Sequence, residues 1–257
     1  MKKLTTLLVA FFVTAGMAFA QSNEATITQL GPTHDGTITQ TGENNEATIL
    51  QQHWYGNVGH IGTITQIGNE NFADQWQRGA NRDRAMIYQE GNDNHAEQDS
   101  RGASGTSNPA ITEITQLGNG NYAFNYQHSS TWIHAYIHQE GDENWVGLEQ
   151  NQADHAEINQ YGDNNQVASV SLSSDLSFEE GVNAYQHTST IFINQGTELE
   201  FGIGNKVGFY QRGFAWADIA QYGDDNTALL YQDGDHTAWI TQDGNMNDAE
   251  IQQHDAP

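Results

Sequence analysis

From Ser22 to Gln253 the chain alternates, residue by residue, between a recurring set of small, apolar and amide side chains and a set that changes freely. Around Asn45 the recurring positions are Asn45, Ala47, Ile49 and Gln51, and the free ones are Glu46, Thr48 and Leu50. Around Asn121 they are Asn121, Ala123, Asn125 and Gln127, against Tyr122, Phe124 and Tyr126. A period of two marks a strand with one face buried, so the recurring set is expected to point inward and the free set to face water. A glycine two residues after the glutamine that closes an arm, usually followed by Asn, Asp or Glu, marks the chain reversal, where φ must become positive.

The alternation is organised as a repeat. Gln-x-Gly-x-x-Asn-x-Ala begins at Gln40, Gln66, Gln89, Gln116, Gln221 and Gln242, and with Val for Ala at Gln139 and Gln160. Its glycines are Gly42, Gly68, Gly91, Gly118, Gly141, Gly162, Gly223 and Gly244. Successive starts lie 26, 23, 27, 23, 21, 61 and 21 residues apart. The gap of 61 residues corresponds to about three periods and predicts two degenerate copies between Ser171 and Gln211. Between the copies runs a looser arm that also ends in glutamine, as in DGTITQ and AWITQ, giving about 21 arms of about 11 residues. Strand, turn, strand, turn at this period predicts an all-β protein, a β-solenoid or parallel β-helix of about ten strand-turn-strand repeats of ~22 residues. It is expected to span residues 21–257, with distorted coils around 171–205. Insertions such as HWYGNVGHIG after Gln52 and RGASGTSNPA before Ile111 fall between arms, where loops tolerate them.

In such a coil each residue stacks on its counterpart one turn away, at ~4.8 Å, so inward amides can hydrogen-bond along the axis. One or two glutamine columns are expected from Gln29, Gln40, Gln51, Gln66, Gln77, Gln89, Gln116, Gln127, Gln139, Gln150, Gln160, Gln186, Gln211, Gln221, Gln232, Gln242 and Gln253. An asparagine column is expected from Asn23, Asn45, Asn71, Asn94, Asn121, Asn144, Asn226 and Asn247. Three positions depart from the pattern: Ser100 stands for Gln, and Gln75 and Gln98 stand for Ile.

Composition sharpens the picture. Leu, Ile, Val and Phe total 48 of 257 residues while Gln and Asn total 49, so the amides must do part of the work of a core. Lys2 and Lys3, an apolar run from Leu4 to Met17 and Ala18-Phe19-Ala20 make residues 1–20 an expected secretory signal peptide, too short in its apolar run for a membrane span. The remaining chain carries 6 basic against 33 acidic residues, a net charge of −27, which disfavours nucleic acid as a partner. With no cysteine, an exported chain of this kind draws no stability from disulfides.

The motif Gln-x-Gly-x-x-Asn-x-Ala-x-Ile/Val-x-Gln, intact in QTGENNEATILQ and nearly so in QYGDDNTALLYQ and QDGNMNDAEIQQ, resembles the curlin repeat of curli subunits, over essentially all of Ser22 to Gln253. The resemblance implies a secreted bacterial subunit that self-assembles into the functional amyloid of biofilm matrix and supports adhesion and cell aggregation. It implies a nucleating curlin-like subunit and an outer-membrane secretion channel as partners. It also implies that Asn23, Gln29 and Gln40 at one end, and Gln242, Asn247 and Gln253 at the other, drive polymerisation. The chain differs from major curli subunits in having about ten repeats rather than about five, beginning two residues after the expected cleavage site.

No catalytic, cofactor-binding or metal-ligating constellation emerges. His134 and His138 would lie ~13 Å apart on a strand, and Gly-Gly-x-Gly-x-Asp calcium repeats do not occur. Repeated Thr-Ile-Thr triplets raise ice binding as an alternative, but Trp76, Tyr88, His138 and Glu149 replace threonine further on. The outward aromatics Trp54, Tyr55, Trp76, Tyr126, Trp132, Trp145, Tyr231 and Trp239 are candidates for lateral fibre contacts or polysaccharide binding.

Overall fold

The computed structural model describes residues 22–53, 59–79, 83–102, 110–129, 133–151, 154–172, 176–179, 181, 183–197 and 199–255. The expected signal peptide and Trp54, Tyr55 and Trp132 lie outside them. Twenty-one strands follow one another among the described residues. They are β1 (Glu24–Leu30), β2 (Asp35–Thr41), β3 (Glu46–His53), β4 (Ile61–Ile67), β5 (Phe72–Gly79), β6 (Arg84–Glu90) and β7 (His95–Gly102). Next come β8 (Ile111–Leu117), β9 (Tyr122–Ser129), β10 (His134–Glu140), β11 (Trp145–Asn151), β12 (His155–Tyr161), β13 (Gln166–Leu172) and β14 (Leu176–Glu179). The last are β15 (Ala184–His187), β16 (Thr190–Gln195), β17 (Lys206–Arg212), β18 (Trp216–Tyr222), β19 (Thr227–Asp233), β20 (Thr237–Asp243) and β21 (Asp248–His254).

Odd and even arms separate into two parallel sheets. The long sheet runs β1-β3-β5-β7-β9-β11-β13-β17-β19-β21, and the short sheet runs β2-β4-β6-β8-β10-β12-β16-β18-β20. This is the predicted β-solenoid. Register is strict: Ala47 pairs with Ala25 and Ala73, and Gln51 with Gln29 and Gln77. Such strictness follows from the period of two, because a slip of one residue would turn every buried side chain outward.

The core is one side chain thick from each sheet. Ile64, Ile87, Ile114, Ile137, Ile158, Ile193 and Ile219 of the short sheet are buried, as are Ile49, Leu148, Phe209 and Leu230 of the long one. The turn glycines from Gly42 to Gly244 have φ between +92° and +124° and sit one above another, and the residue two places on is also left-handed, as at Asn44, Glu70, Asp93 and Glu143.

The two degenerate copies expected between Ser171 and Gln211 are not there. A single coil fills the interval. Gln166 and Val167 of β13 pair with Trp145 and Val146 of β11; the chain then leaves the sheet as an antiparallel hairpin, β13–β14, in which Leu172 pairs with Leu176. It returns as β15, where Ala184 pairs with Leu148 and Gln186 with Gln150. The surplus length is an insertion into one rung, so the described arms make ten rungs of the long sheet and nine of the short one, fewer than the 21 arms counted from spacing.

Candidate functional site: the amide columns

Two glutamine columns run through the molecule. In the short sheet Nε2 of each glutamine donates to Oε1 of the next, from Gln40 to Gln66 (2.9 Å), Gln66 to Gln89 (2.9 Å), Gln89 to Gln116 (2.8 Å) and Gln116 to Gln139 (2.9 Å). It continues through Gln160, Gln195 and Gln221 to Gln242 without interruption. The second amide hydrogen crosses the core: Gln66 Nε2 also lies 3.0 Å from the carbonyl oxygens of Glu46 and Asn71. A buried primary amide thus satisfies its donors and acceptor within a repeating geometry and escapes the cost of burying an unpaired polar group.

The long-sheet column runs Gln29, Gln51, Gln77, then Gln127, Gln150, Gln186, Gln211, Gln232 and Gln253. Ser100 interrupts it. Its Oγ reaches Gln127 Oε1 (3.2 Å), and Gln77 turns its amide to the carbonyls of Ile61 and Asp83.

The asparagine column has the opposite sense. In each coil the backbone N–H donates to Oδ1 of the asparagine one coil earlier, as Asn71 does to Asn45 and Asn94 does to Asn71. In most coils Nδ2 makes the same bond, and most donate as well to a turn-glycine carbonyl, as Asn71 does to Gly91. The series runs Asn23, Asn45, Asn71, Asn94, Asn121, Asn144, Asn165, Asn205, Asn226, Asn247.

Asn165, Gln195 and Asn205 are absent from the columns predicted above. Asn165 was legible, being the Asn of QYGDNNQV. Gln195 and Asn205 were hidden because five extra residues, 196–200, separate Gln195 from Gly202, which occupies the usual turn-glycine place and donates its N–H to Tyr161. A further column on the surface also went unread: Asn69, Asn92, Asn119, Asp142 and Asp163 each accept the backbone N–H of the counterpart one coil earlier.

The core is weakest in the middle. Gln75, Gln98 and Asn125 stand where most other long-sheet rungs place Ile, Leu or Phe. Gln75 donates to Gln98 Oε1 (2.9 Å), but Asn125, 1% exposed, has neither side-chain polar atom paired. Asn125→Leu is therefore expected to raise stability by about 2 kcal/mol, since an orphaned buried amide costs roughly 1–3 kcal/mol. A melting temperature no higher than that of the parent would contradict this account.

The corner opposite the asparagines carries ionisable groups. His60 Nδ1 lies near the backbone N–H of Asp83 (3.3 Å) and 3.5 Å from Asp83 Oδ2, both side chains being buried. Asp83 Oδ1 accepts the N–H of Ala110, while Oδ2 has no hydrogen-bond partner. Burial pushes the Asp83 carboxyl up to about 7 against the pull of that N–H. Asp154, the equivalent residue further on, accepts N–H bonds from Ser189 and Asn151 and is also pushed up to about 7 by burial.

Among the described residues no group of three or more His, Asp or Glu is arranged to hold a metal ion, and no helix is long and apolar enough to cross a membrane. The threonine pairs Thr37–Thr63 and Thr39–Thr65 are followed by Met86 and Tyr88, so neither column continues as threonine into the third rung.

At both ends of the columns the chain matches a known family model. The curlin associated repeat matches residues 20–52 and 223–254. No curated protein matches the chain.

Proposed function

We propose that this chain, which carries curlin-associated repeats around both ends of its solenoid, is a secreted structural subunit that stacks end to end into curli-like amyloid fibres. The observation that carries the reading is the polarity of the columns. At the β1 end Gln29 and Gln40 donate inward, which leaves Oε1 of each without a column donor; at the far end Gln242 and Gln253 accept and have no glutamine beyond them. The asparagines are reversed, with Asn23 presenting donors at the first rung and Asn247 Oδ1 without a column donor at the last. Each end thus complements the other rather than itself. Such a contact is heterologous and does not close, and it yields filaments. The terminal rungs β1, β2, β20 and β21 each pair on one side only among the described residues, leaving strand edges that template a further copy.

Two junctions each satisfy part of these groups. Long sheet on long sheet sets Gln253 under Gln29 and Asn247 under Asn23, with room for one more short-sheet arm; a half-turn sets β1 on β20 and β2 on β21 and places Asn23 beside His236. The first continues the asparagine column and is favoured.

In this reading residues 1–20 direct export. A nucleating curlin-like subunit and an outer-membrane channel serve assembly, and the fibre contributes to biofilm matrix, adhesion and cell aggregation. Quiescent incubation of Gln21–Pro257, followed by thioflavin fluorescence and electron microscopy, is expected to give fibres after a lag. A variant with Gln29, Gln40, Gln242 and Gln253 changed to Ala is expected to elongate at least tenfold more slowly while keeping its strand circular dichroism. A wild type that stays a soluble, strand-rich monomer would overturn the proposal.

A further inference from the structure

The outward aromatics divide by sheet. On the long sheet two runs stack nearly face to face: Phe72, His95, Tyr122 and Trp145 at interplanar angles of 21°, 21° and 3°, and Tyr185, Tyr210 and Tyr231 at 21° and 6°, while Trp76 lies under the Arg78 guanidinium. The stacked ring faces are turned to one another, and a ligand arriving from solvent meets mainly edges.

The short sheet is different. There one outward column reads Tyr136, Glu157, Phe192, Asp218, Trp239 over five consecutive rungs, aromatic and acidic in strict alternation. The rings of this column are two rungs apart, about 10 Å, and do not stack on each other. His155 and Trp216 of the adjacent column fill the zigzag between them. Tyr136 meets His155 at 55°, His155 meets Phe192 at 51°, Phe192 meets Trp216 at 53° and Trp216 meets Trp239 at 57°. Tilted rings leave part of each face uncovered, and Trp239 is 66% exposed. Beside them Phe214, 75% exposed, and Trp216 border a shallow hollow with Thr188 and Thr190.

From this geometry we infer that the outer face of the short sheet between β10 and β20 binds a linear, uncharged, β-linked polysaccharide lying along the solenoid axis. In an extended β-1,4-linked chain successive sugars turn over, so every second ring presents the same face, and an aromatic on every second rung meets that repeat. The apolar face of a pyranose packs on Tyr136, Phe192 and Trp239, which supply large, rigid contact area. The carboxylates of Glu157 and Asp218, and the hydrogen-bonded amides of Asn159 and Asn194 alongside, accept and donate to hydroxyl groups.

Charge selects the occupant. A net charge of −27 beyond residue 20 repels polyanions such as acidic glycans and nucleic acid. A second copy offering the same face would set Glu113, Glu157 and Asp218 against like charges, and a neutral glycan meets no such opposition. The strip lies within one molecule, so it does not depend on polymerisation.

The test is co-sedimentation of freshly purified, unpolymerised Gln21–Pro257 with microcrystalline cellulose and, separately, with chitin. Saturable retention is expected on at least one. The Tyr136→Ser, Phe192→Ser, Trp239→Ser triple variant is expected to lose at least tenfold in affinity, and the long-sheet triple Tyr185→Ser, Tyr210→Ser, Tyr231→Ser to stay within twofold of wild type. The single substitution Trp239→Ser, at a highly exposed site, guards against misfolding and is expected to weaken binding several-fold with unchanged circular dichroism. No retention on either polymer, or equal loss in both triples, would overturn the inference. So would a short-sheet triple that retains glycan but loses lateral bundling of filaments, which would identify the face as a self-contact. Retention by a chain that never forms fibres would uphold the strip and reject the fibre reading.

Discussion

Gly91→Ala is expected to unfold the coil that contains it and to destabilise the chain by more than about 3 kcal/mol, the sum of left-handed strain and steric overlap. The backbone at Gly91 has φ +124°, and Gly91 stacks between Gly68 and Gly118. A Cβ at this position would overlap the carbonyl carbon and oxygen of Gly118. That obstacle is backbone, held by the hydrogen bond from Gly118 N–H to Glu90, so it cannot rotate aside as a side chain would. Gly120→Ala is the matched control. Its φ is also positive, +64°, but the only neighbouring atom a Cβ would meet is Glu143 Cγ at 3.6 Å, and Glu70, Asp93 and Glu143 hold the same place in other coils. That variant is expected to lose about 1 kcal/mol, the usual cost of a left-handed non-glycine residue. Thermal unfolding followed by circular dichroism separates the two, and equal melting temperatures would refute the stacking argument.

Asp83→Asn is expected to stabilise the protein strongly at pH 8 and hardly at all near pH 4. Burial pushes the folded-state carboxyl up to about 7, against an ordinary value of 3.8. Between these values the folded chain holds a proton that the unfolded chain releases, so stability falls as pH rises from about 4 to about 7 and levels off above. The full difference is on the order of 4 kcal/mol by linkage. Asparagine removes this titration, keeps an acceptor for the Ala110 N–H, and turns the unpartnered Oδ2 into an N–H₂ donor facing His60 Nδ1. Melting temperatures of parent and variant across pH 4–8 test it; parallel curves would show that Asp83 is ionised in the fold. Asp154 adds a second contribution of the same sign, so the Asp83→Asn variant is itself expected to melt higher at pH 5 than at pH 8.

These two sites mark the boundary of what the sequence shows. Gly91 belongs to a motif whose every fixed position has a local reason, and its turn was legible from QEGNDNHA alone. Asp83 lies in the reverse corner, where the residues at equivalent places are His34, His60, Asp83, Ala110, Ile133, Asp154, Ser189, Ala215 and His236. That corner keeps no single residue type from coil to coil, mixing His, Asp, Ala, Ile and Ser, so no pattern announces that a carboxylate there is buried. Gln195 and Asn205 were lost for a related reason: insertions changed their spacing while the coil kept their places.

By itself the sequence determined the strand period, the inward set, the turn glycines and the repeating amides, because each is a short-range constraint that a residue imposes on its neighbours within one arm. Only the tertiary structure decided that the glutamines form two columns of one sense and the asparagines a third of the other. It alone resolved the 61-residue interval into one coil with an excursion, and it separated covered rings on one sheet from open ones on the other. Those outcomes depend on which rung lies above which. Pairing between residues 21 to 40 apart is set by the stacking of whole coils, and no local alternation encodes it.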